Sequence, residues 1–138
     1  MNPRVLLAGP GDLLEAAKAQ LTHLDLTCAT DGAALFEAFV GAARAGQAPQ
    51  LVVVELALER MSGMGVVRAM RATERAWSRR PTAVLLYAAR PADAELKAFL
   101  AEVGQAVHLE RPIHVPIADQ VARLQTALDR LLAQLKGG

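Results

Sequence analysis

Short apolar runs alternate along the chain with longer stretches in which apolar positions recur at helical spacing, a pattern that predicts repeated βα units and a parallel sheet. Five units can be counted. The first strand reads RVLLA (Arg4 to Ala8), and after the Gly9-Pro10-Gly11 break Asp12 is placed to cap a helix presenting Leu13, Leu14, Ala17 and Leu21 on one side. A second strand near LTCAT (Leu26 to Thr30) ends at Asp31-Gly32, and a helix with Leu35, Ala38, Phe39 and Ala42 follows. The most continuous apolar run, LVVVEL (Leu51 to Leu56), has the character of a central parallel strand covered by helices on both faces. The third helix starts near Met64, with Val66, Val67, Met70 and Trp77 on one arc and Arg68, Arg71 and Arg75 on the other. TAVLLYA (Thr82 to Ala88), the segment Ala92 to Val103, and QAVHLE (Gln105 to Glu110) read as strand, helix and strand. Arg111-Pro112 closes the fifth strand. The last helix, from about Ile117 to Leu135, carries Ile117, Val121, Leu124, Leu128, Leu131 and Leu135 at alternating four- and three-residue steps. Residues 136–138 read as a frayed tail, and residues 1–135 as one domain.

Composition supports a folded globule. Of 138 residues 53% are hydrophobic and 21% charged, far from the range of disordered chains. The mean hydropathy is +0.24, yet no apolar run approaches the ~20 residues of a spanning helix. The first residues lack the features of a signal peptide and the single Cys28 offers no disulfide, so a soluble cytoplasmic protein without a membrane partner is expected. Fifteen basic against fourteen acidic residues give a net charge of +1 and no general reason to expect nucleic acid. That neutrality is uneven. Residues 60–80 hold six Arg and one acid, Glu74, for a local +5, which leaves −4 elsewhere.

Ligands and chemistry in an open α/β sheet gather beyond the carboxyl ends of the strands. The residues there are Gly9-Pro10, Glu55, Tyr87-Ala88-Ala89 and Arg111-Pro112. Around them, over almost its whole length, the chain resembles the receiver domains of two-component response regulators. The match is tightest in PQLVVVELALERMSG (Pro49 to Gly63), where receivers have a strand ending in the phospho-accepting Asp and a Gly eight residues later; Glu55 and Gly63 keep that spacing. Asp31-Gly32 and the Gly104 to Arg111 interval fit the same pattern. The resemblance implies a flavodoxin-like, doubly wound sheet of five parallel strands in the order 2-1-3-4-5, flanked by five helices.

Each chemical position of the family is altered. Receivers hold Mg²⁺, a hard ion bound through oxygen, with two acids after the first strand; here Gly9 and Pro10 stand there, with Asp12 two or three places away. Glu55 replaces the acceptor Asp and reaches one methylene further, toward where a phosphoryl group would sit. The family's Ser or Thr falls at Tyr87, Ala88 or Ala89, according to register, and no Ser or Thr occurs between Thr82 and Thr126. Arg111 replaces Lys, keeping the charge but presenting a planar fork, and the resemblance implies a cis Arg111-Pro112 bond. Phosphoryl transfer depends on metal and in-line geometry, so a degenerate pocket of Gly9, Pro10, Glu55, Tyr87, Ala88, Arg111 and Pro112 implies no transfer, no Mg²⁺ and no enzymatic activity. Glu55 is read either as a buried carboxylate paired with Arg111 or as a fixed mimic of the phosphorylated residue; the two are compatible.

The expectation is therefore a stand-alone pseudo-receiver acting through protein contacts. Arg68, Arg71 and Arg75 form either a solvated helix face or a docking patch for an acidic partner. Receivers commonly meet partners or each other through the face of the fourth helix, fifth strand and fifth helix, which brings in His108, near the family's aromatic position, and Leu128, with a homodimer possible. The rival readings are a phosphorylatable regulator that takes its metal through Asp12, and a flavodoxin-like binder of small molecules. Gly-Pro-Gly-Asp also resembles a turn of tetrapyrrole methyltransferases, which are much longer chains, and neither GxGxxG nor GxxxxGK is present. His23, His108 and His114 lack ligand spacing, and Cys28 reads as core.

Overall fold

In the computed structural model, which describes residues 2–137, strands and helices alternate throughout: β1 (Arg4–Ala8), α1 (Gly11–Gln20), β2 (Asp25–Ala29), α2 (Gly32–Arg44), β3 (Leu51–Val54), α3 (Gly63–Ala76), β4 (Ala83–Ala88), α4 (Ala94–Val103), β5 (Ala106–Glu110) and α5 (Ile117–Gly137). The strands form one parallel sheet in the order β2-β1-β3-β4-β5, as expected. Register runs Val5↔Leu51, Leu51↔Ala83 and Val84↔Ala106 across its centre.

The two-residue alternation of the strands divides the core into two layers. Val5, Leu7, Leu51, Val53, Leu85 and Tyr87 face Leu13, Leu14 and Ala17 of α1 and Val121, Leu124 and Leu128 of α5. Leu6, Val52, Val54, Val84, Leu86 and Ala88 face Leu35 and Phe39 of α2, Val66, Val67 and Met70 of α3, and Leu96 and Phe99 of α4. All four residues of β3 are buried, which is why its sequence is apolar without interruption. Among the described residues, no helix is long and apolar enough to cross a membrane.

Several expectations change at element ends. Asp31, Ser62 and Asp93 cap α2, α3 and α4 by accepting from Ala34, Gly65 and Leu96 N–H groups. Asp12 does not cap α1: that helix begins two residues earlier, at Gly11 with Pro10 at the cap, and the Asp12 carboxylate accepts from Leu13 N–H at 2.8 Å. Ala43, rather than Ala42, completes the buried face of α2. Lys136 and Gly137 continue α5 instead of forming a tail, and Gly138 lies outside the described residues. The Arg111-Pro112 bond is trans, since no cis peptide occurs among the described residues. Trans is the lower-energy isomer of an X–Pro bond by about 0.5–1 kcal/mol, and from it the Arg111 side chain already reaches its acceptors.

Candidate functional site

The central strand delivers one carboxylate to the carboxyl end of the sheet. Glu55 follows β3 directly, its N–H donates to Ala8 O at 3.1 Å, and the residue is 7% exposed. Its two oxygens are both engaged by protein donors. Oε1 accepts from the backbone N–H of Leu56 at 2.8 Å. Oε2 accepts from Ala89 N–H at 3.3 Å and from Arg111, Nη2 at 3.1 Å and Nε at 3.4 Å. Two nitrogens of one guanidinium thus converge on a single oxygen, the charge-assisted contact that a planar fork makes easily.

Arg111 is held at both ends. Its backbone N–H donates to Ala88 O at 2.7 Å, fixing the exit from β5 beside β4. Its Nη1 donates to Gln120 Oε1 at 3.0 Å, and Gln120 Nε2 donates in turn to Val115 O at 3.1 Å. Gln120 lies in the first turn of α5 and is buried, as is Tyr87, whose hydroxyl donates to Gln120 O at 2.6 Å. Burial pushes the Tyr87 hydroxyl above its ordinary pKa, against the opposing pull of Arg111 and Arg123. A chain of polar contacts therefore links Glu55 to α5, and no buried side-chain nitrogen or oxygen among the described residues lacks a partner.

The loop from β3 to α3 folds over the base of this site at a glycine. A Cβ on Gly63 would lie 2.4 Å from Glu55 O and 2.8 Å from the Leu56 Cα, and Gly63 N–H donates to Leu56 O at 2.9 Å. The eight-residue interval between Glu55 and Gly63 thus has a steric cause: only a residue without a side chain can close the loop there. Gly32 has a similar cause, since a Cβ would meet Met61 O at 1.8 Å.

Above Glu55 is an open cleft of about 330 Å³, lined by Pro10, Glu55, Leu56, Ala57, Ala89, Arg90 and Arg111. Of the seven pocket residues expected from sequence, Pro10, Glu55 and Arg111 line it. Gly9 is buried beneath, and Pro112 is not in the lining. Tyr87 belongs to the opposite face of the sheet, with α5, and Ala88 is buried on the α2, α3 and α4 side. Where the family's hydroxyl was sought, the contact with Glu55 comes instead from the backbone of Ala89. Sequence reasoning missed Arg90 and Gln120. Arg90 binds both oxygens of Asp93 at 3.0 and 2.9 Å, and the Asp93 carboxyl lies below its usual range, first through Leu96 N–H and then through Arg90. Gln120 carries no distinguishing signal in the sequence, being one of several polar residues beside apolar ones in α5.

The candidate partner surface is rearranged more thoroughly. Arg71 is not on an exposed stripe: it is 5% exposed, paired with Glu74 at 2.8 Å, and donates to the carbonyls of Val103, Thr82 and Gly104 at 2.8, 2.9 and 2.8 Å. Its role is to tie the end of α4 to the start of β4. Arg68 is exposed but occupied, bound to Glu102 at 2.8 and 3.1 Å and 5.0 Å from the Phe99 ring centroid. Arg75 alone of the three is exposed and outside any ion pair among the described residues. Leu128, 1% exposed, is core against the sheet and cannot contact a partner. His108 is half-buried, its Nε2 2.9 Å from Arg90 O.

No family model matches the sequence, and no curated protein matches it. Solved structures do match. The phosphorylated cyanobacterial phytochrome response regulator RcpA superposes with a TM-score of 0.72 at 10% identity, covering 97% of this chain and 96% of that one. The receiver domain of the histidine kinase CKI1 from Arabidopsis thaliana, complexed with Mg²⁺, gives 0.69 at 14% identity over 94% and 91% of the two chains. A signal receiver domain of an HD domain-containing protein from Pseudomonas fluorescens Pf-5 gives 0.68 at 19% identity over the full length of both. Together with the strand order and the Glu55, Gly63 and Arg111 geometry, these likenesses establish the architecture: the chain has the CheY-like receiver fold of response regulators and histidine kinases.

Proposed function

We propose that this protein is a pseudo-receiver, a non-enzymatic signalling module that works through protein contacts in a two-component-type pathway without being phosphorylated. The observation that carries the reading is the engagement of both Glu55 oxygens by protein donors, Oε1 by Leu56 N–H and Oε2 by Ala89 N–H and Arg111. An acceptor needs a free oxygen in line with the donor phosphorus, and the reaction draws its rate from positioning and charge neutralisation. The donor set also does not fit Mg²⁺. Gly9 and Pro10 supply no carboxylate, Asp12 is turned to Leu13 N–H, and among the described residues no three His, Cys, Asp or Glu side chains converge. A hard cation at Glu55 would have to compete with the guanidinium already 3.1 Å from Oε2.

In this reading the Glu55–Arg111 pair holds permanently what a phosphoryl group would hold transiently. With no hydroxyl side chain following it, the pocket has one arrangement rather than two, and regulation lies in which partner is present. Incubation with Mg²⁺ and acetyl phosphate, followed by intact mass measurement, tests the reading. An unmodified mass is expected. A phosphoryl adduct on Glu55 or on a neighbouring Asp would overturn it.

A further inference from the structure

The +5 segment resolves in the structure into two unlike halves. Arg68 and Arg71 are consumed by Glu102 and Glu74, and Arg75 lines the same groove, facing Glu102 and Val103 of α4. Arg79 and Arg80, past the end of α3, are exposed and outside any ion pair among the described residues, as is Arg44 from the last turn of α2. Beside Arg44 and Arg79 lies Trp77, which ends α3 and is 37% exposed, one of the few large apolar side chains left at the surface. The Arg44 and Arg79 guanidinium carbons lie 5.7 and 5.9 Å from its ring centroid, and Arg79 Nη2 also donates to Ala43 O at 2.8 Å. The aromatic side chain, an apolar anchor, is therefore held in place by two cations.

We propose that Trp77 with Arg44, Arg79 and the adjoining Arg80 is a docking site for an acidic protein segment that carries an apolar side chain among its carboxylates. Charge complementarity selects the occupant. The ends of α2 and α3 each contribute about half a negative charge, which leaves the three guanidinium groups with about two positive charges in excess. Each of the three is Arg rather than Lys, the side chain suited to bidentate capture of carboxylate, and Trp and Arg are the residue types that dominate protein-binding hot spots. Nucleic acid fits less well. Three cations fall short of the roughly six to ten phosphate contacts of a protein with strong backbone affinity, the sequence pI of about 8.0 is modest for that class, and one aromatic side chain gives no track for successive bases. The site is also remote from Glu55. α3 starts against Glu55 at Gly63 and its 14 residues carry the chain about 21 Å toward the opposite end of the sheet.

This inference deepens the reading of a protein-binding module, and its failure would be separate from failure of that reading, which the acetyl phosphate experiment tests at the Glu55 pocket and its neighbouring Asp residues. Trp77 is the single tryptophan of the chain, so its emission reports the site directly. The full chain is titrated with four probes free of Trp and Tyr: an acidic peptide of Glu and Asp around two Leu, the same peptide with Gln and Asn for the acids, the same with Ser for Leu, and a single-stranded oligothymidylate. The acidic Leu peptide should shift Trp77 emission saturably and bind about tenfold more tightly than either altered peptide. Arg44→Glu with Arg80→Glu, at side chains that make no ion pair among the described residues, should weaken it by a further order of magnitude while leaving the circular dichroism unchanged. No saturable response at about 1 mM peptide, equal binding of the neutral or Leu-free peptide, an unaffected double variant, or tighter binding of the oligonucleotide would each overturn the proposal.

Discussion

Replacing Glu55 by Gln is the sharpest test of the site, because it keeps the shape and removes only the charge and one acceptor. The carboxylate accepts at both oxygens: Leu56 N–H on Oε1, and Ala89 N–H with Arg111 on Oε2. A Gln amide has one oxygen and one NH₂ group. If the oxygen turns toward Arg111, the NH₂ faces Leu56 N–H, donor against donor; if it turns toward Leu56, the NH₂ faces the guanidinium. Either way one buried donor is orphaned, at about 1–3 kcal/mol, and the charge-assisted bond to Arg111 is weakened by a comparable amount. The cleft admits water on one side, so the sum is expected at about 2–4 kcal/mol, near the lower part of the range for breaking a buried pair. Urea unfolding followed by circular dichroism measures it, with the midpoint falling and the slope unchanged. A double-mutant cycle with Arg111→Met should return a coupling of at least about 1 kcal/mol. A Gln variant within about 0.5 kcal/mol of the parent, or a coupling near zero, would refute the claim that the ion pair fixes the pocket.

Three further outcomes follow from the same geometry. Arg71→Ala should destabilise the fold by about 3–5 kcal/mol in urea unfolding, since it strands Glu74 in the interior and frees the carbonyls of Val103 and Gly104 at the α4–β5 turn and of Thr82 before β4; a loss below about 1 kcal/mol would place Arg71 at the surface after all. Gly63→Ala should cost more than about 2 kcal/mol or shift the β3–α3 loop, because the added methyl meets backbone rather than a movable side chain; unchanged stability would refute the close approach. Tyr87, the single tyrosine, has a folded pKa raised above its unfolded value near 10, so its contribution to stability is complete below about pH 10 and is lost as pH rises through the folded value. Phenolate absorbance should titrate later in the folded chain than in denaturant, and Tyr87→Phe should abolish that alkaline loss while costing about 1 kcal/mol at neutral pH.

The sheet was legible in the sequence because its signals are local. β3 is apolar on both faces, β1 and β4 are nearly so, and the helices between them repeat at helical spacing. Glu55, Gly63 and Arg111 were legible from position alone. What failed depended on packing that no single segment records. Arg71 lies on the polar arc of α3, but α3 is wedged between α2 and α4, and the end of α4 brings two carbonyls, with that of Thr82 before β4 a third, over that arc. Tyr87 and Ala88 differ by one residue, and in a strand one residue reverses the face, so an uncertain register sent Tyr87 into the pocket when its ring packs under α5. Leu128 satisfies equally the spacing of a dimer seam and of a sheet-facing helix, and only burial distinguishes them. Gln120 looked like any polar neighbour of an apolar residue until Arg111 was seen to need a second acceptor.

The two acceptors of Arg111 have a mechanical meaning. Glu55 belongs to the end of β3 and Gln120 to the first turn of α5, and one rigid guanidinium plane spans them at 3.1 and 3.0 Å. A lysine ammonium on its flexible stem could meet one acceptor and pivot freely about it; a planar group bonded at two edges removes that rotation as well. Arg111 is thus a brace rather than a hinge, and it sets the spacing between the central strand and the last helix at the carboxyl end of the sheet. It adds to the Tyr87–Gln120 bond and the packing of Val121, Leu124 and Leu128 on the strands, so a single exchange of Arg111→Lys would loosen the first turn of α5 without removing any charge from the pocket.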